Sequence, residues 1–153
     1  MSPVSKQLME LLFLVVQFDF ELDIFQIEAI KAVNTGNSVL VVASTSAGKS
    51  VIAYHSIMKS IEADNIAIYT APVKSLANQK YMELSSKFED VALITGDVTT
   101  SNSTSSKCLV MTAEVLRNQL FSDLSSPYIQ KVKYIILDEA HYLSDEQRGV
   151  VWE

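Results

Sequence analysis

Ala43-Ser44-Thr45-Ser46-Ala47-Gly48-Lys49-Ser50 is the stretch whose reading decides the fold. The apolar run Val39-Leu40-Val41-Val42 before it reads as a buried strand, and Val51-Ile52-Ala53-Tyr54 after it opens a helix. Strand, small-residue loop and Gly-Lys-Ser at a helix start make a phosphate-binding loop. Backbone N–H groups of the first helical turn have no partner within the helix, and the helix dipole adds positive charge there. A polyphosphate fits such a place. Lys49 supplies a full positive charge to the outer phosphates, and Ser50 offers a hydroxyl to a bound Mg²⁺. Thr45, Ser46, Ala47 and Gly48 complete the cradle. The usual pattern begins with Gly; here Ala43 stands in that place.

Outward from the loop, apolar runs alternate with helical patterns. Asp23 caps a helix through Phe25, Ile27, Ala29, Ile30 and Val33, and Gly36 ends it. Strands are expected at Ser38 to Val42, Ile66 to Tyr69, Val91 to Ile94, Cys108 to Met111 and Val132 to Leu137. Helices are expected from Lys49 to Glu62, from Ser75 to Phe88, and from Thr112 or Ala113 through Leu120. This alternation implies an α/β fold of βα units around a mostly parallel sheet. Ligands of such sheets sit at the carboxyl ends of the strands. Polar residues fall there repeatedly: Ser44 to Ser50, Thr70 to Lys74, Thr95 to Asp97, Thr112, and Asp138 to His141.

Bulk properties narrow the function. The chain has 153 residues, 48% of them apolar, which suits one domain with a full core. The net charge of −6 argues against a generic basic nucleic-acid binder, so any such contact is local. The single cysteine, Cys108, excludes an internal disulfide, fits a reducing compartment, and reads as a buried strand thiol. The run Leu11 to Val16 falls far short of the roughly 18–20 residues that span a bilayer. It has no basic leader and no small-residue cleavage site, so neither a secretory signal nor a membrane anchor is expected. It reads as a short helix or strand packing on the domain.

Asp138-Glu139 directly follows the last apolar strand. A carboxylate there can hold Mg²⁺ opposite Ser50, and the next can orient and deprotonate an attacking water. Asp-Glu after a strand is common by chance; an upstream phosphate loop at this distance makes chance a poor account.

Asp138-Glu139-Ala140-His141 reads D-E-x-H. With the phosphate loop it joins Phe20-Glu21-Leu22-Asp23-Ile24-Phe25-Gln26, Val73 to Tyr81, Thr95-Gly96-Asp97-Val98 and Arg148 to Glu153. Together these motifs resemble the Ski/Mtr group of DExH-box RNA helicases in helicase superfamily two, which supplies RNA to the exosome. The resemblance covers residues 18–153. Residues 1–17 form an N-terminal extension to which the motifs assign no role. The resemblance implies a three-layer RecA-like domain, ATP and Mg²⁺ as cofactors, and single-stranded RNA as a partner. It also implies a second RecA-like domain beyond Glu153, the exosome and its adaptors as further partners, and an intracellular setting, nuclear or cytoplasmic.

Position by position, Phe20 matches the aromatic that stacks on adenine and Gln26 the glutamine that reads its edge. Lys49 and Ser50 match the phosphate and metal residues, Asp138 the metal carboxylate and Glu139 the water carboxylate. Pro72, Lys74, Thr95, Gly96, Thr112 and Arg117 fall in segments that grip the RNA backbone. Lys74 and Arg117 also read as plain solvated charges, and Phe20 alone as a core aromatic. His141 matches the residue coupling ATP state to RNA grip. Val73 to Ala77, Ala140 and the Ser/Thr-rich loop at 99–106 depart from the family's usual residues. The expected function is the ATP-binding motor domain of a 3′–5′ RNA helicase, the 153 residues alone binding ATP with little turnover. A DNA helicase of the same superfamily and a non-hydrolysing nucleotide-binding adaptor are the alternatives.

Overall fold

Ala67, Tyr69 and Ala71 turn to one side of a strand, Ile66, Ile68 and Thr70 to the other, and all six are buried. A strand covered on both faces belongs in the middle of a layered α/β fold. The structure is a computed structural model that describes residues 21–100, 103–122 and 127–144. The chain divides into two compact units, residues 1–52 and 53–153.

The first unit contains α1 (Ile24–Asn34), the phosphate loop and the start of α2 (Ser50–Glu62). Gln26, Ala29, Ile30 and Val33 are the buried positions of α1, at the spacing of one helical face. The Asp23 N–H donates to Gln26 Oε1 at 2.8 Å, capping the first turn. Thr35 closes the other end by donating its hydroxyl to Ala32 O at 2.9 Å.

The second unit takes up the rest of α2, then β1 (Ile66–Ala71), α3 (Lys74–Ser85), β2 (Val91–Ile94), β3 (Cys108–Thr112), α4 (Ala113–Ser122), α5 (Pro127–Gln130) and β4 (Val132–Leu137). A 3₁₀ turn, Ala140–Ser144, follows β4. The sheet order is β2-β3-β1-β4 and every pairing is parallel. Tyr69 stands opposite Val110 of β3 and Ile136 of β4.

One sheet face packs Ala67, Tyr69, Val110 and Leu93 against Ile57 of α2 and Ala77 and Leu84 of α3. The other packs Ile68, Leu109 and Met111 against Leu116 of α4. Helices cover both faces, the expected three-layer α/β arrangement. Each fully buried Ile or Leu in these layers, such as Ile68 and Leu109, contributes about 1.5–3 kcal/mol. Cys108 is fully buried, as expected, and burial pushes its thiol up to about 12, so it stays protonated and inert.

One expectation changes. Residues 38–42 do not form a strand; Leu40 and Val42 are 81% and 88% exposed. A strand needs a neighbour for its backbone groups, and the described residues of the first unit offer none. β4 is a strand, as expected, but at the sheet edge, with every second residue exposed. Residues 1–20 and 145–153, which include Phe20, the apolar run 11–16 and Arg148, lie outside the described residues.

Candidate nucleotide and nucleic-acid sites

The phosphate loop is braced from α1. Gln26 is 3% exposed, and its Nε2 donates to Ala47 O at 3.3 Å and Gly48 O at 3.0 Å. Its Oε1 already accepts the Asp23 N–H. The residue expected to read adenine thus also clamps the loop. Nε2 meets two carbonyls, and Oε1 has taken one of the two donors it can accept. Gly48 has φ +73°, the left-handed region, and a Cβ on it would stand 2.7 Å from Gln26 Nε2. Glycine is favoured here by conformation, and any Cβ would force the Gln26 amide to shift.

Within the loop, the Ala47 N–H donates to Ser44 O at 3.1 Å. Lys49 extends its ammonium back along the loop, donating to Ala43 O at 2.7 Å and Ser44 O at 2.8 Å. Thr45 and Ser46 are exposed at the turn, and Ser50 opens α2. The Ala43 carbonyl serves the lysine, and this role does not depend on the residue's side chain.

In the second unit, Asp138 and Glu139 follow β4. The Asp138 N–H continues the ladder to Thr70 O at 3.2 Å. Asp138 Oδ2 accepts from the Tyr69 hydroxyl at 2.5 Å, and Oδ1 from the Glu139 N–H at 3.0 Å. These bonds use two of the carboxylate's roughly four acceptor positions. The remaining ones are hard oxygens of the kind Mg²⁺ takes, and Mg²⁺ is commonly held by one or two carboxylates plus substrate phosphates. Burial, and then the bond to Asp138, raise the Tyr69 hydroxyl well above the ordinary tyrosine range, so it remains a donor.

Glu139 has φ +54°, which costs a non-glycine residue about 1–2 kcal/mol. The N–H bond to Asp138 and the Tyr142 N–H donated to Glu139 O at 3.1 Å hold it there. Its carboxylate meets His141 Nδ1 at 3.1 Å, and the His141 ring lies beside Tyr142. The carboxylate expected to handle water and the imidazole expected to couple it to RNA are therefore in contact.

A cleft of about 530 Å³ opens at the carboxyl ends of the strands. Pro72, Lys74, Gly96 and Thr112, four of the six residues expected to grip RNA, line it. Lys74 pairs there with Asp97. Thr95 and Arg117 are not among the lining residues. The Thr95 hydroxyl accepts the Val98 N–H at 3.2 Å, and the Arg117 guanidinium lies 5.5 Å from the Phe121 ring centre. The lining also holds Ser75, Glu114 and Asn118, which sequence reasoning missed. Glu114 and Asn118 are four apart on α4, a spacing that puts them on one face with Thr112 just ahead.

A family model described as DEAD/DEAH box helicase matches residues 23–153. The chain is 49% identical over 136 residues to the DExH-box ATP-dependent RNA helicase DExH9 of Arabidopsis thaliana, covering 89% of this chain and 13% of that protein. It is 49% identical over 137 residues to the exosome RNA helicase MTR4 of Homo sapiens, covering 90% of this chain and 13% of that protein. It is 51% identical over 136 residues to the uncharacterized helicase C17H9.02 of Schizosaccharomyces pombe, covering 89% of this chain and 13% of that one.

Proposed function

The chain belongs to the DEAD/DEAH box helicase family, and on that basis we propose that it is the ATP-binding motor domain of a 3′–5′ RNA helicase that feeds RNA to the exosome. One observation carries the reading. The four parallel strands of the second unit point their carboxyl ends to the same edge of the sheet, and the D-E-x-H carboxylates follow one of them while the cleft residues Pro72, Lys74, Gly96 and Thr112 follow or end the others. The chain spans only 13% of the length of the relatives it matches, so helicase action, RNA substrate and exosome partnership are proposed for the longer assembly.

In this reading Lys49 and the loop N–H groups hold the outer phosphates. Phe20 stacks on adenine while Gln26 reads its edge and keeps the loop in shape. Ser50 and Asp138 would each offer an oxygen to Mg²⁺, which would neutralise charge on the phosphate oxygens. Glu139 orients the water and takes its proton. His141, in contact with Glu139, passes the state of that carboxylate towards the nucleic-acid cleft. Lys74 neutralises an RNA phosphate, and Pro72, Thr95, Gly96, Thr112 and Arg117 shape the path of the backbone. The setting is intracellular, in nucleus or cytoplasm.

Fluorescence anisotropy of a labelled single-stranded RNA and the matching DNA tests the polynucleotide. Weak but measurable binding, tighter for RNA and reduced in Lys74→Ala, is expected. Equal binding of DNA would contradict the RNA assignment.

A further inference from the structure

Tyr69 sits in a strand buried along its whole length, yet its hydroxyl touches the end of β4. Its ring is 3% exposed and packs with Ala53, Ile57 and Ala77. The Lys80 ammonium lies 5.6 Å from the ring centre. The register that sets Tyr69 beside Ile136 brings the hydroxyl to the carboxylate two residues further on. There it donates to Asp138 Oδ2 at 2.5 Å.

A phenylalanine would fill the same space in the core; the hydroxyl is the part that packing does not require. The Asp138 backbone is already fixed by its bond to Thr70 O. What the backbone leaves free is rotation of the carboxyl group, and two donors, Tyr69 Oη and the Glu139 N–H, take one oxygen each. Charge-assisted hydrogen bonds of this kind are about twice as strong as neutral ones. A buried donor without its partner would be left unsatisfied, so the ring anchors the hydroxyl and the hydroxyl anchors the carboxylate.

We infer that Tyr69 is a positioning residue for the metal carboxylate: its hydroxyl, seated in the core, presets the orientation of Asp138 for Mg²⁺. The inference rests on the reading of Asp138 as the Mg²⁺ carboxylate. Ordering Asp138 in advance removes the need to immobilise it when Mg-ATP arrives.

The test is ATP affinity of the 153-residue chain by calorimetry, with saturating Mg²⁺ and with EDTA. The ratio of the two affinities measures the metal's share. In Tyr69→Phe that ratio is expected to fall about three- to tenfold, with metal-free affinity within about twofold of the parent. Asp138→Asn is expected to lower the ratio at least as much, and Tyr69→Phe added to it is expected to change little more. An unchanged ratio in Tyr69→Phe would overturn the inference, as would a full additive loss on top of Asp138→Asn. Equal losses with and without metal would show a purely structural tyrosine and also overturn it. If Asp138→Asn itself left the ratio unchanged, the metal reading of Asp138 would fail, and this inference with it.

Discussion

The side-chain amide of Gln26 donates to the Gly48 carbonyl at 3.0 Å, and a Cβ on Gly48 would stand 2.7 Å from the same nitrogen. Helix α1 and the phosphate loop are therefore locked by one side chain against one residue that lacks any. Gly48→Ala should lose the φ +73° conformation, about 1–2 kcal/mol, and push Gln26 away as well. Gly36 is the control: it has φ +83° but open space around it, so Gly36→Ala should lose only the conformational part. Urea denaturation should rank Gly48→Ala below Gly36→Ala, and nucleotide binding should fall in the first alone. Equal behaviour of the two would show that the clamp does not shape the loop.

Replacing Gln26 by Ala removes the clamp and the proposed base reader together. Affinity for both ATP and GTP should fall, and ATP should fall further. Competition binding measures the ratio. A parallel loss would leave Gln26 the loop clamp and place base recognition elsewhere.

His55, buried in α2, is lowered from 6.5 to about 4 by burial and, second, by Lys59 beside it. Between those values the unfolded chain binds a proton that the folded chain refuses, so stability falls as pH falls from 6.5 towards 4. The loss at pH 4 is on the order of 2–3 kcal/mol. Carboxylates add to the same limb, so the measurement is a comparison. The urea midpoint of His55→Gln should drop less than the parent's between pH 7 and pH 4.5. Identical slopes would remove His55 as a source of acid sensitivity.

The chain has two arginines, Arg117 and Arg148. Arg117 faces the Phe121 ring on α4, and both residues fall in segments that the family resemblance is expected to give other roles. An arginine neutralising the far side of the γ-phosphate is worth about 10³–10⁵ in rate. The 153 residues alone should turn ATP over barely above background in a steady-state assay, with or without single-stranded RNA. Strong RNA-stimulated turnover, abolished by Glu139→Gln, would contradict this.

The strands that pair were legible because each is an apolar run ending at turn residues. The run at 38–42 is equally apolar, yet it is largely exposed and pairs with nothing among the described residues, since apolarity alone fixes neither burial nor a strand partner. The phosphate loop was legible because its chemistry is contiguous in sequence. Its clamp was harder to see: Gln26 was read as a base reader, and only the fold brings its amide to Ala47 and Gly48. Tyr69 was legible only as the last residue of an expected strand. It is buried in the core, and only the folded sheet brings its hydroxyl to Asp138. The cleft was half legible. Residues at strand ends converge, whereas Arg117, although three residues from Glu114 on α4, turns its guanidinium to the Phe121 ring and does not line the cleft.

The central claim is Mg-ATP binding through the loop. Lys49 is the loop's full positive charge, now shared between the Ala43 and Ser44 carbonyls, which are weaker partners than a phosphate. Titration calorimetry of Mg-ATP into the parent chain and into Lys49→Ala tests the claim directly. Losing a charge-assisted contact of roughly 1.5–3 kcal/mol predicts at least about a tenfold weaker Kd. Equal affinity in the two proteins, or no binding by the parent, would contradict the account.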